Sequence, residues 1–417
     1  MPSSLTVRMG GHGSLARPTA AAATASAILA GPNPKPSAGV GTGTGTAYIG
    51  GSSSGFDAGY TYTDYSVPGG TTTLAGLSSW VAANVPDGAS STAHSRVLLG
   101  AGRTYSGTGF VDLTGRSHIT FEGGGTEVAK GHTGGARLTT TGSPDPLNLV
   151  KASVWRAKSG TNSVSATDIR FHCMTVDGSY TNYRTTSAGA NENEHGFSME
   201  GVNGLQVSHV IIEKLQGDGL YLSDSTVGAS SSAYYTRSVT IQDSTIRYVG
   251  RMGVALINTQ DVTIDTCTFT DICYCPFDIE PNKTWQAIRG TTRFVNSLID
   301  GDYWSWGSGF QDAAWSLGAP LASSISGSLT ISGNTVTAAM YPGDVQDVVR
   351  GGYGEMVYTA TFTFTNNVST NRRAGPIVGL SGWSAGATVT GNTGWLSSGS
   401  FVGNYGGNGT ITQSGNT

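Results

Sequence analysis

Charge is scarce in this chain, and so are cysteine and long apolar runs. Only 12% of the 417 residues are charged and the formal net charge is −4. No basic stripe or patch therefore offers a footprint for nucleic acid or for an anionic membrane surface. No apolar run approaches the roughly 20 residues that a membrane-spanning helix needs. The nearest thing to a signal peptide, ARPTAAAATASAILAG after Arg8, is mostly Ala and Thr with a weak apolar centre, so export by that route is not expected. Four cysteines (Cys173, Cys267, Cys273, Cys275) lie in strand-like surroundings without CxxC or Cys/His zinc spacing. They read as buried thiols, and neither a disulfide nor a metal nor any other cofactor is expected.

What the chain has instead is glycine, 62 residues of it, with 37% hydrophobic residues. That mixture fits poorly with ordinary packed layers and better with a long, narrow, repetitive core. Residues 1–70 are dominated by Ala, Gly, Ser, Thr and Pro, as in GVGTGTGTAYIGGSSSG, and show no useful periodicity. Alone they bury too little surface to offset the entropy of ordering them, so they read as an arm, either flexible or ordered against a partner, ahead of a domain over 71–417. In TTTLAGLSSWVAANVPDG the helical spacing of Leu74, Leu77, Trp80 and Val81 predicts one short amphipathic helix, closed by Pro86-Asp87-Gly88. After it, RVLLGAGRTYSGTGFVDLTGRSHITFEGGG predicts three short strands joined by tight turns.

Beyond residue 165 similar segments recur every twenty to forty residues, the spacing of a solenoid. GFSMEG, GLYLSD, GVALIN and PFDIEP, starting at Gly196, Gly219, Gly253 and Pro276, superpose without gaps. Their second and fourth positions are apolar in every copy: Phe197, Leu220, Val254, Phe277 and Met199, Leu222, Leu256, Ile279. Strand alternation turns the third and fifth outward: Ser198, Tyr221, Ala255, Asp278 and Glu200, Ser223, Ile257, Glu280. A second family, LQVSHVII, VTIQDSTI and VTIDTCTF, follows each copy of the first. It continues in SLTISGNTV, TFTFTNNVS, ATVTGNTGW and TITQSGNT, which place Asn334, Asn367, Asn392 and Asn416 at one matching point. Stacked turn asparagines can hydrogen-bond from coil to coil and satisfy buried backbone groups.

With these repeats, the asparagine positions, the cap-like helix and the string DIEPN, residues 75–417 resemble the right-handed parallel β-helix proteins of the pectate-lyase-like superfamily. Polysaccharide lyases, polygalacturonase-type hydrolases and phage tailspikes belong to that superfamily. The resemblance implies an all-β fold: a right-handed parallel β-helix with an N-terminal cap helix and an extended N-terminal arm. It implies little about activity, because the fold carries many unrelated sites. The hydrolases' Asn-Thr-Asp, paired-Asp and Arg-x-Lys segments are read as absent, and the Gly-His-Gly of Gly11-His12-Gly13 lies in the arm. The calcium-dependent pectate lyases are approximated only thinly by Arg251 near Asp218 and Asp278.

The candidate catalytic residues are Asp278, Glu280, His195 and Asp218. Asp278 and Glu280 stand at i and i+2 of one strand, with carboxyls about 6–7 Å apart, a separation suited to two-carboxylate glycoside hydrolysis. Their structural alternative is to cap backbone amides or to pair with Arg251, Lys283 or Arg289. His195 and Asp218 precede the aligned glycines of successive coils, so stacking sets them about 4.8 Å apart, as general base and orienter or as a turn-stabilising pair. Glu200, Tyr221 and Arg251 complete the strip as candidate substrate contacts. Trp304, Trp306 and Trp315 lie in GDYWSWGSGFQDAAW, a long break between coils, where aromatic rings either stack on sugars or cover the solenoid.

Two readings follow. One is a virion component, a phage tail appendage resembling a tailspike, expected to be a homotrimer. Its arm would dock on other virion proteins and its β-helix would bind host-surface polysaccharide. The other is a secreted polysaccharide lyase or glycoside hydrolase using the acidic strip.

Overall fold

The computed structural model describes residues 56–417 apart from 142–152, 159–165, 181–193, 225–233, 282, 284, 301–313, 318–324, 338–348, 352–357, 371–372 and 375. Its backbone is a parallel solenoid. Successive coils contribute one strand each to three long sheets of 12, 9 and 10 strands, and each strand pairs with its counterpart one coil away. The one helix among the described residues, Leu74–Asn84, starts where the Thr73 hydroxyl accepts the Gly76 N–H at 3.0 Å, an N-cap contact. It buries Leu74, Leu77 and Val81 against the strands Thr104–Gly107 and Val111–Asp112, closing the first coil. Helix and cap are as the spacing predicts. The following region has four strands rather than three, because Ala93–Leu98, Thr104–Gly107, Val111–Asp112 and Ser117–Glu122 each feed a sheet.

Strand structure is present before residue 70. Thr61–Ser66 is already the outermost strand of the first sheet, in parallel register with Ala93–Leu98. Phe56 is buried, stacked against His172 at 4.3 Å between ring centroids and covered by the Arg170 guanidinium at 3.9 Å. Tyr62 and Arg96 had no periodic context in the sequence, yet they form a cation–π contact at 4.3 Å on this strand pair.

The corner between the first and second sheets is a single residue in the left-handed region, repeated down the molecule: Cys173, His209, Asp243, Thr266, Asn296, Gly333, Asn366 and Gly391, all with φ between 47° and 68°. The residue after each turn points inward, and there the polar ladder stands. Asn334, Asn367 and Asn392 are fully buried. The Asn367 side-chain carbonyl accepts the Asn334 N–H at 3.0 Å, Asn392 does the same for Asn367 at 2.9 Å, and Asn416 for Asn392 at 3.2 Å. Ser297 and Ser244 take the equivalent place in earlier coils, accepting from Cys267 and Val210 at 3.1 Å. The first coil turns instead through residues 99–103, and in the next, between Ser117–Glu122 and Ala136–Thr140, the turn residue is replaced by an antiparallel hairpin, Thr126–Val128 with Gly131–Thr133. Gly123 and Gly135 at its base lie flush against the Cys173 carbonyl, where no Cβ would fit.

Inside, aromatic rings stack from coil to coil. Trp155, Phe171 and Phe197 sit with centroids 4.8 and 4.9 Å apart, and farther along Phe277, Phe294, Trp315 and Phe364 continue at 5.5 to 5.7 Å. Burying one such ring contributes about 1.5–3 kcal/mol, and the repeat supplies that contribution at nearly every coil. Trp315, expected on a loop, is a fully buried core residue in register with Phe277. No helix among the described residues is long and apolar enough to cross a membrane.

Candidate functional site

The four aligned segments lie side by side in the third sheet. Phe197, Leu220, Val254 and Phe277 are mutual neighbours with their side chains wholly in the core. The outward column is Arg156, Ser198, Tyr221, Ala255, Asp278 and Ser316. Outward does not mean exposed here. Ser198, Ala255, Asp278 and Ser316 are all buried, and Asp278 is only 2% accessible. A small apolar cluster of Met252, Ala255, Ile257 and Cys275, with Tyr221 and Tyr274 against it, occupies the same outer face. The picture of two solvent-facing carboxylates on one strand is therefore corrected: Asp278 sits in a dry niche, while the Glu280 side chain remains 31% accessible.

Those surroundings set the electrostatics. Burial, then the Glu280 charge beside it, pushes the Asp278 carboxyl well above the usual carboxylate range, against an opposing hydrogen bond from Ser316 and the nearby Arg251. Burial thus favours the protonated form of Asp278. The Arg251 guanidinium stands between two other carboxylates, 3.7 Å from Asp218 and 3.8 Å from Glu280. The alternative partners for the acidic pair do not serve it equally. Arg251 does reach Glu280, whereas Arg289 donates to the Asn258 side chain at 2.7 Å and the Ala287 carbonyl at 3.1 Å.

Stacking brings His195 and Asp218 together, with Nδ1 and Oδ2 3.3 Å apart, both side chains buried. The Tyr221 ring lies parallel to the His195 imidazole at 4.7 Å, and burial pushes its phenol up to about 12. Glu200 is buried and accepts the Ser198 hydroxyl at 3.3 Å. Next to His195, Glu194 is raised by burial to about 8, against one backbone N–H from Gln216, and one of its carboxyl oxygens has no hydrogen-bond partner. Its neighbourhood to His195 was visible in the sequence, but its burial was not. Asp224 acts as a pin, receiving Gln286 at 2.6 Å and the Trp285 indole at 3.2 Å. Trp304 and Trp306 lie outside the described residues.

The third sheet thus gathers Glu194, His195, Glu200, Asp218, Arg251, Asp278 and Glu280 on four consecutive coils, with a buried acid pushed toward its protonated form beside the more accessible Glu280. Such a group can exchange protons and hydrogen-bond hydroxyls. Arg156 flanks it one coil earlier, and the string Arg156-Ala157-Lys158 corrects the reading that no Arg-x-Lys is present.

Residues 227–417 match the family model of the right-handed beta helix region. This part of the chain is a right-handed β-helix. The match begins within the coils that carry Arg251, Asp278 and Glu280, and the same parallel pairing runs unbroken into the coils before it. Among solved structures, the N-terminal fragment of bacteriophage Phi29 gene product 12 aligns over 78% of this chain and 66% of that one, with 12% identity and a TM-score of 0.34. The chain therefore spans just under two thirds of that fragment. No curated protein matches.

Proposed function

We infer that this β-helix is a phage tail appendage whose third-sheet face engages a host-surface polysaccharide. The observation that carries the glycan reading is the strip itself. On a chain with few charges, seven ionisable groups converge on one outer wall within four coils, interleaved with Ser198, Tyr221 and Ser316. Arg251, Glu280 and Tyr221, the partly accessible members of the strip, offer guanidinium, carboxyl and phenol groups that can read sugar hydroxyls, the buried members bracing them from beneath, and the Tyr221 ring complements the apolar side of a sugar. The virion placement rests on the Ala/Gly/Ser/Thr-rich residues 1–55, a composition suited to an arm that docks on partner proteins. Homotrimeric assembly belongs to the same proposal.

A second reading is favoured by the unequal pair. Two neighbouring carboxyls, one kept protonated by burial and one charged beside Arg251, are the division of roles that glycoside hydrolysis requires of its acid and its base or nucleophile. Cleavage of the bound glycan within a virion would join the two readings.

The deciding experiment is a screen of capsular and cell-wall polysaccharides against the purified full chain, scored for both retention and release of reducing or unsaturated ends. Retention that weakens in Arg251→Ala supports the binding reading, and end release abolished in Asp278→Asn supports cleavage. The absence of both with every glycan tested overturns the glycan proposal. Antibody detection on purified particles, with size analysis of the free protein, tests the virion and trimer proposals separately.

A further inference from the structure

At the corner between the first and second sheets, on a different wall from the acidic strip, lies a second cluster. His172 ends the strand Thr167–His172, Cys173 is the turn residue that follows it, and His209 is the turn residue of the next coil. Glu122 ends the strand one coil earlier, opposite His172 in register. The hairpin that replaces the turn in that earlier coil carries Glu127 over the corner.

The hydrogen bonds assign the His172 ring. Glu122 Oε2 lies 2.7 Å from Nδ1, and the other Glu122 oxygen is fixed by the Gly124 N–H at 2.9 Å. A carboxylate on Nδ1 orients the ring and leaves Nε2 as the outward-looking nitrogen, the arrangement that commonly backs a metal-binding histidine. Around Nε2 stand Glu127 Oε1 at 2.7 Å and Cys173 Sγ at 3.4 Å. His209 Nδ1 is 4.0 Å from the same Glu127 oxygen. The ligand atoms of Glu127, His172 and His209 all lie within 4.8 Å of one another, as do those of Glu122, His172 and Cys173. A tetrahedral ion with bonds of about 2.0–2.3 Å sets its ligand atoms about 3.3–3.7 Å apart. The separations of 2.7, 3.4 and 4.0 Å straddle that range, and the two triads share His172.

The geometry points to a divalent transition-metal site, of the zinc type, formed by His172 Nε2, His209 Nδ1, the Glu127 carboxylate and the Cys173 thiolate, with Glu122 orienting His172. Two imidazoles, a thiol and one carboxylate are a donor set for zinc or cobalt and a poor one for calcium or magnesium, which take oxygen. The ion would staple the hairpin to the turns of the next two coils. Here the solenoid lacks its single-residue corner, and Phe56 closes over the His172 ring. The competing occupant is a proton on His172 shared between the two glutamates, which gives no metal affinity.

The test uses the purified full chain, stripped with a chelator and titrated with zinc by calorimetry and with cobalt by absorption spectroscopy. The expected result is one equivalent per chain, visible cobalt bands of tetrahedral intensity and a near-ultraviolet thiolate-to-cobalt charge-transfer band. Cys173→Ser should abolish the charge-transfer band and keep the visible bands. His209→Ala, at the outer edge of the cluster, should weaken zinc binding by at least about tenfold. Failure of the wild-type chain to take up a stoichiometric ion overturns the site, even if a variant misfolds. So does binding that neither His209→Ala nor Glu127→Gln weakens, or cobalt uptake by the wild type without the charge-transfer band.

Discussion

His195 Nδ1 lies 3.3 Å from Asp218 Oδ2, and the same ring nitrogen receives the Asp218 backbone N–H at 3.2 Å. An N–H can only donate, so with that bond made Nδ1 carries a lone pair and the proton of a neutral ring sits on Nε2. A histidine base oriented by its carboxylate needs the reverse, Nδ1–H toward the acid. The two contacts compete for one nitrogen, and the backbone bond ties the coils together. Asp218 extends the tie, since its Oδ1 accepts the Met252 N–H of the following coil at 3.2 Å.

Removing that carboxylate should therefore cost stability. Asp218→Ala leaves the buried Met252 N–H unpaired and Arg251 without one of its two acidic neighbours, an expected loss of about 3 kcal/mol. Asp218→Asn keeps an oxygen for Met252 and should lose only about 1 kcal/mol. Denaturant unfolding midpoints, read at an unchanged slope, measure the difference. Equal losses in the two variants would remove the Met252 bond from the account.

The asparagine ladder predicts a graded series. Asn367 accepts from both the N–H and the amide of Asn334 and donates to the Ile331 carbonyl at 3.1 Å and to Asn392 at 3.0 Å. Asn367→Ala abandons all of these inside a buried turn and should cost about 3 kcal/mol or more. Asn367→Ser should recover part of that loss, because Ser297 at the equivalent place accepts one N–H and donates to the Val295 carbonyl at 2.9 Å. Thermal midpoints should rank wild type above serine above alanine, and serine no better than alanine would contradict the ladder.

The parts of this architecture that were legible in the sequence are those carried by a repeat. Alternation put Phe197, Leu220, Val254 and Phe277 inward, gap-free superposition put His195 beside Asp218, and SGNTV-type strings marked the ladder. What stacking could not show is what covers the outside of a sheet, so the burial of Asp278 and Glu194 was invisible. Trp315 looked like a loop residue because the long break before it hides its register with Phe277. The His172, Cys173, His209 and Glu127 cluster escaped for a related reason. Cys/His metal motifs are recognised by short spacings, whereas in a solenoid neighbours across a corner are separated by a whole coil, and the hairpin bearing Glu127 interrupts the period.

Glu194 predicts a pH dependence of stability. Its folded carboxyl titrates near 8, while in the unfolded chain a glutamate titrates near 4.3. Between those values the unfolded state has released a proton that the folded state keeps. Stability therefore falls as pH rises through that window and levels off above it, by roughly 3–5 kcal/mol if the whole shift is expressed. Glu194→Gln, neutral and similar in shape, should match the wild type near pH 4.5 and exceed its thermal midpoint at pH 8. Melting curves of both proteins across pH 4.5–8.5 would show parallel slopes if Glu194 were not the group responsible.

Asp278 separates bracing from chemistry. Because burial and Glu280 both favour its uncharged form, Asp278→Asn should replace one neutral group by another of nearly the same shape. Its thermal midpoint at pH 7 should stay within about 1 kcal/mol of the wild type, unlike the usual loss on removing a buried charge. The fold and any glycan retention through Arg251 should survive, while a reaction that draws its proton from Asp278 should stop, since an amide cannot serve as a general acid. Turnover and retention measured on the same variant then report on different properties of one site. Loss of turnover with retention intact assigns Asp278 the acid's part, and unchanged turnover removes it from the reaction. A large destabilisation at pH 7 would mean that the Asp278 carboxyl is charged in the folded protein, contrary to its dry setting beside Glu280.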